Sequence, residues 1–87
     1  MNEGLHVVVT RAALKDLRSL PASDRTRVLE RLAAYAQTPN SPGHDVIKLV
    51  GTDAGYRLRV GEWRVLFVLM VDTLDVLRVG HRREVYR

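Results

Sequence analysis

The sequence predicts an α+β domain: two N-terminal antiparallel helices packed on one face of a four- to five-stranded, mainly antiparallel sheet. Apolar residues recur at helical spacing through the first half of the chain and are interrupted once, by Pro21. In the second half the period changes to two, the mark of strands. The order of strand, two helices and then a run of strands belongs to the α+β class rather than to a βαβ repeat. A length of 87 residues is that of a single domain, residues 1–87, near the small end for a core without staples.

Residues 5–9, LHVVV, form a short β-branched run and read as a strand. Thr10 then offers an N-cap hydroxyl, and Ala13, Leu14, Leu17 and Leu20 recur at helical spacing until Pro21 stops the helix. Ser23 can cap a second helix, whose apolar positions Val28, Leu29, Leu32, Ala33 and Ala36 form one stripe. Arg25, Arg27, Glu30 and Arg31 take its outside, and Thr38-Pro39 ends it. Residues 38–44 are the only linker-like segment, and residues 46–50 make a weak strand or an extended lead-in. Residues 51–55 have the composition of a turn.

The stretch Y-R-L-R-V-G-E-W-R, residues 56–64, reads as a tight hairpin. Tyr56, Leu58 and Val60 alternate with Arg57 and Arg59, so one face is apolar and the other cationic. Gly61-Glu62 fits a two-residue type II′ turn, which pairs Val60 with Trp63 and Arg59 with Arg64. The apolar face continues through Trp63, Val65, Phe67 and Leu69. A three-residue loop, Asp72-Thr73-Leu74, would let Leu77 and Val79 join it by pairing Leu69 with Leu77 and Phe67 with Val79. That register sets Arg82 opposite Arg64.

Arg57, Arg59, Arg64 and Arg82 would then converge on the face away from the helices, with Tyr86 close behind and Leu66, Val68 and Met70 as an apolar floor that something covers. Like charges directly across strands are destabilising, and a bound polyanion relieves them. The formal net charge is +4, and only Lys15 and Lys48 of the 14 basic residues are lysine. Guanidinium holds phosphate bidentately and stays charged, which suits a nucleic-acid partner, though the same bias arises in a G+C-rich genome. Arg57 and Arg59 also fit an ordinary solvated strand face, and Arg83 and Arg87 fit tail charges. Trp63 reads as core.

Other classes are excluded or disfavoured. The absence of cysteine removes disulfides and thiolate zinc sites. His6 and His44 are isolated, so no metal site and no cofactor is expected. The N-terminus lacks a basic-then-apolar signal pattern, and the longest apolar run, residues 65–71, is far too short for a bilayer. A soluble cytoplasmic protein without membrane contact is the expectation.

The series K-L-V-G, then Y-R-L-R-V-G-E-W-R-V-L-F, then V-G-H-R-R-E-V-Y-R resembles the RelE branch of the RelE/ParE toxin superfamily, over nearly the whole chain. The resemblance implies a RelE-like fold and the toxin of a type II toxin-antitoxin system: an mRNA endonuclease that works in the ribosomal A site without a metal. It also implies silencing by a cognate RelB-like antitoxin, with operator DNA bound only through the antitoxin complex. In such chemistry the ribose 2′-OH attacks the adjacent phosphorus, and the enzyme removes that proton, stabilises the added charge and protonates the leaving 5′-oxygen.

Residue by residue, the resemblance makes Arg57 and Arg59 RNA contacts and Arg64 the holder of the scissile phosphate. It makes Arg82 the acid beside the leaving group and Tyr86 the residue that stacks on or orients the base. The best-known members carry lysines at the positions of Arg57 and Arg59, and an arginine, with a pKa above about 12, does not readily serve as a base. His81 and Tyr86 are the alternatives for proton transfer; His81 is either catalytic or structural, since the predicted register turns it to the core side. Two other readings stay open: a ParE-like inhibitor of DNA gyrase, and an inactive relative that serves only as the antitoxin's partner in operator repression.

Overall fold

The computed structural model describes residues 4–51 and 55–85. Its elements run β1 (His6–Val9), α1 (Arg11–Ser19), α2 (Ala22–Gln37), β2 (Val46–Lys48), β3 (Gly55–Val60), β4 (Trp63–Leu69) and β5 (Thr73–His81). The strands form one five-stranded sheet in the order β1-β5-β4-β3-β2. Only β1 against β5 is parallel; the other pairs are antiparallel. The expected architecture is present.

Thr10 joins three elements. Its hydroxyl accepts from the Ala13 N–H (3.3 Å), capping α1, and donates to the Val76 carbonyl (2.8 Å), while its own N–H reaches the same carbonyl at 3.1 Å. The cap of α2 differs from expectation. Ser23 lies inside the first turn, and Pro21 occupies the N-cap with no side-chain bond; its ring fixes φ near the value that the entry to a helix needs. The Arg25 guanidinium, donating to the carbonyls of Leu17 (3.0 Å) and Leu20 (3.1 Å), satisfies groups left over at the end of α1.

The apolar stripe of α2 is also narrower than predicted. Val28, Leu32, Tyr35 and Ala36 are buried, whereas Leu29 and Ala33 face outward. The sequence reading had omitted Tyr35. Its ring lies 5.4 Å from Phe67, which also stacks on Tyr56 at 5.7 Å. Phe67, fully buried, is the centre of a core that joins Leu17, Val28 and Leu32 of the helices to Leu58, Val60, Val65, Leu74, Val76 and Val79 of the strands.

The first hairpin has the predicted register, with Val60 opposite Trp63 and Arg59 opposite Arg64. Gly61 takes φ +60°, a conformation that favours glycine, and a β-carbon there would lie 2.6 Å from Nη2 at the movable end of Arg27. The second hairpin does not follow prediction. Leu69 pairs with Leu74 and Phe67 with Val76, leaving residues 70–72 between the strands, with the Met70 N–H donating to the Thr73 carbonyl (2.9 Å). Between Phe67↔Val76 and Leu66↔Arg78 the register shifts, so that Leu77 is an extra residue in a β-bulge. Leu77 is consequently 40% exposed; Leu74 occupies the core place assigned to it and Val76 the one assigned to Val79. The alternation on which the three-residue loop was based breaks at the bulge.

Beyond Val76, β5 has no partner in β1, and α1 covers its edge. Asp16 of α1 accepts the Val79 N–H (2.9 Å) and grips Arg78 with both oxygens, from Nε (2.8 Å) and Nη2 (3.0 Å). Arg78 thus holds helix to strand.

Candidate nucleic-acid interface

A cavity of about 460 Å³ opens at the turn end of the first hairpin, lined by Arg31, Asp45, Arg59, Gly61, Glu62, Arg64 and Arg82. Each wall follows from local structure. The two-residue turn brings Arg59 and Arg64 side by side across β3 and β4. The Arg82 N–H donates to the Glu62 carbonyl (2.8 Å), extending the ladder past β5 so that Arg82 faces Glu62. The predicted opposition of Arg82 and Arg64 is therefore replaced: Gly80 faces Arg64, because the tighter hairpin shifts the pairing by three residues and the bulge gives back only one. Arg82 reaches the same cavity nonetheless.

Arg64 is fixed by its own turn, with Nη1 donating to the carbonyls of Gly61 (2.8 Å) and Trp63 (3.0 Å), and it has no carboxylate partner among the described residues. Arg59 and Arg82 do have partners: Arg59 Nε bonds Asp45 and Arg82 Nε bonds Glu62. These pairs lie in solvent, with side-chain exposures of 55% and 34% for Arg59 and Asp45 and 48% and 62% for Arg82 and Glu62. Exposed pairs of this kind contribute about 0–1 kcal/mol. Charge-assisted contacts to a phosphate can replace them, and neither arginine is locked.

Two of the six residues singled out in the sequence fall outside the cavity. Arg57 does not line the cavity: its side chain is mostly covered, 3.9 Å from Asp45, with a buried Nε that has no hydrogen-bond partner. His81 is also absent from it. It pairs with Trp63, edge to face at 5.8 Å, and its Nδ1 accepts the Arg83 N–H at 3.2 Å. With Trp63, Ser19 and Leu20 it lines a separate cavity of about 440 Å³. Tyr86 lies outside the described residues. Arg82 is in place by another register, and Arg59 and Arg64 are where the sequence put them.

Two cavity residues were missed. Asp45 sat in the segment leading into β2, but Val46↔Leu58 pairing and the Arg59 N–H on the Asp45 carbonyl (2.9 Å) carry it beside Arg59. Arg31 was assigned to the solvent side of α2; the hairpin turn leans on that helix at Arg27, one turn earlier, and brings the cavity to it. The site therefore adjoins α2 and is not confined to the face away from the helices. On that face Leu66 and Val68 are half-buried and Met70 is exposed.

Arg78, which shares the parity of the cationic face, belongs elsewhere. Burial tends to raise the pKa of Asp16, but the hydrogen bonds from Arg78 and the Val79 N–H and the charges of Arg78 and Lys15 outweigh it and hold the carboxyl below its ordinary value. His44 is likewise structural, donating from Nε2 to the Thr38 carbonyl (3.0 Å) and packing edge-on to Tyr35 at 5.1 Å. No helix among the described residues is long and apolar enough to cross a membrane.

Comparison with known proteins gives a consistent result. The family model described as the ParE toxin of type II toxin-antitoxin system, parDE, matches residues 7–86. RelE1 of Methanocaldococcus jannaschii is 32% identical over 81 residues, covering 91% of this chain and 90% of its own. Toxin RelE3 of the same archaeon is 31% identical over 85 residues, covering 94% and 96%. Among solved structures, a chain of the RelB-RelE antitoxin-toxin complex from Methanococcus jannaschii superposes with a TM-score of 0.75 at 30% identity, over 91% of this chain and 94% of that one.

Proposed function

Because this chain belongs to the RelE/ParE superfamily of type II toxin-antitoxin toxins, we propose that it is a ribosome-dependent mRNA endonuclease of the RelE kind. The observation that carries this reading is the convergence of Arg59, Arg64 and Arg82 on one open cavity. Arg64, pre-positioned by two carbonyls and without a carboxylate partner among the described residues, takes the non-bridging oxygens of the scissile phosphate and offsets the charge that builds up as the 2′-OH attacks. Arg82 stabilises the departing 5′-oxygen. Arg59 holds the chain beside it. The cavity's own proton acceptors are the carboxylates of Asp45 and Glu62, which answers the difficulty posed by arginine at positions 57 and 59. His81 acts on this reading as a positioning residue for Trp63 and the C-terminal segment. Tyr86 orients the base.

The proposed partners are a RelB-like antitoxin, supported by the likeness to the RelB-RelE complex, and the message in the ribosomal A site. Operator DNA is met only through the antitoxin complex, in the cytoplasm. The antitoxin lays an amphipathic helix or extended arm over the sheet or the helical pair.

Inducing the chain alone should stop growth, and primer extension should find translating messages cut at codon positions. Intact messages with broken DNA would favour the second reading, a ParE-like gyrase inhibitor, which the ParE name of the matched family model recommends. Neither damage nor arrest would identify an inactive relative.

A further inference from the structure

The charges lining the cavity do not balance. Arg31, Arg59, Arg64 and Arg82 face Asp45 and Glu62, and the two carboxylates are taken by Arg59 and Arg82. The guanidinium groups left without an acidic partner among the described residues are Arg31 and Arg64. They stand on different elements, Arg64 on β4 and Arg31 on α2.

We propose that Arg31 is a second phosphate-binding residue, holding the phosphodiester next to the one held by Arg64, so that the RNA track runs off the sheet, over the hairpin turn and onto α2. The proposal rests on the nuclease reading above and extends it to the flanking nucleotide. Two unmatched cations on one cavity suit two successive phosphodiesters, each of single negative charge, better than one. Among the described residues Arg31 also has no structural employment. On the same helix Arg25 is spent on the carbonyls of Leu17 and Leu20, and Arg27 lies against the turn at Gly61. Arg31 follows Arg27 by one helical turn, on the same side of α2, so the contact that seats the turn also fixes where Arg31 stands. Its side chain is on the exposed surface and packs into no core.

The test measures binding of the full chain to a single-stranded octaribonucleotide over a salt series starting at about 50 mM. Arg31→Gln should weaken binding about fivefold at low salt and flatten the slope of log Kd against log salt by about 0.7, the value for one lost single-strand phosphate contact. In ribosome-dependent cleavage it should raise KM and leave kcat unchanged. Arg18→Gln, which removes the same charge from the exposed side of α1, is the control. If Arg64→Gln weakens binding and Arg31→Gln matches Arg18→Gln, the second phosphate site is refuted while the nuclease reading stands. If Arg64→Gln is also without effect, or the wild-type chain shows no saturable binding, both fall.

Discussion

Two arginine-carboxylate pairings in this molecule use the same chemistry for opposite ends. At the β5 edge, Asp16 is 16% exposed, accepts a backbone N–H and binds Arg78 with both oxygens. At the hairpin turn, Glu62 is 62% exposed and meets Arg82 through a single side-chain contact. The first carboxylate has three donors and little water, so removing it strands the part-buried Val79 N–H as well as releasing the exposed Arg78 guanidinium. The second has water ready to take the arginine's place. What separates a structural arginine from an available one is therefore the rest of its partner's bonds, a property that sequence does not display.

Several changes would sharpen or break this contrast. The largest effect is expected from Arg64→Ala, which should lower cleavage about 10²- to 10³-fold, the scale of losing one preorganised charge-stabilising donor, with little change in Tm; near-normal toxicity would remove Arg64 from the chemistry. Asp16→Ala should act in the opposite sense. It leaves the Val79 N–H unpaired at a cost of about 1–3 kcal/mol, read as a lower denaturant midpoint, while cleavage per folded molecule is retained. A variant as stable as the parent would show that the β5 edge does not need its helix.

The acid limb of stability offers a subtler test. The Asp16 carboxyl is depressed in the folded chain below its ordinary 3.8, so the unfolded chain takes up its proton first as pH falls. The stabilisation is complete above about pH 4 and is lost as pH drops through the folded value. Asp16→Asn should flatten the stability curve below pH 4; an unchanged acid limb would place the linkage elsewhere. The smallest effects belong to Asp45→Asn and Glu62→Gln. Each should shift stability by less than about 1 kcal/mol, and a loss comparable to that of Asp16→Ala would end the distinction between the two pairings.

Much of the fold was legible because local chemistry and global pattern agreed. The Thr10 cap and the Pro21 break delimit α1, and a glycine at the first turn position specified the β3-β4 register to the residue. The site was legible to the same extent: Arg59 and Arg64 followed from that turn. Elsewhere sequence carried too little. Leu74, Val76, Leu77 and Val79 offer two alternations, and only tertiary packing, with Thr10 taking the Val76 carbonyl and Asp16 the Val79 N–H, decides which residue is left over. Tyr35 was detectable, since positions 28, 32, 35 and 36 trace a helical face. Arg31 and Asp45 were not, because each enters the site from an element whose position depends on contacts distant in sequence.

The supernumerary Leu77 also sets the phase of everything after it. Counting on from the Phe67↔Val76 pair without an insertion, Val79 and His81 would turn outward, and residues 78, 80 and 82 would turn toward the helices. The Arg82 guanidinium would then point toward the helices instead of the cavity. Excising Leu77 itself would leave the pairs from Arg78 to His81 as they are and keep Arg82 beside Glu62, so it is the backbone's way of absorbing an inserted residue, and not that residue's side chain, which determines whether the Arg82 guanidinium can meet a substrate.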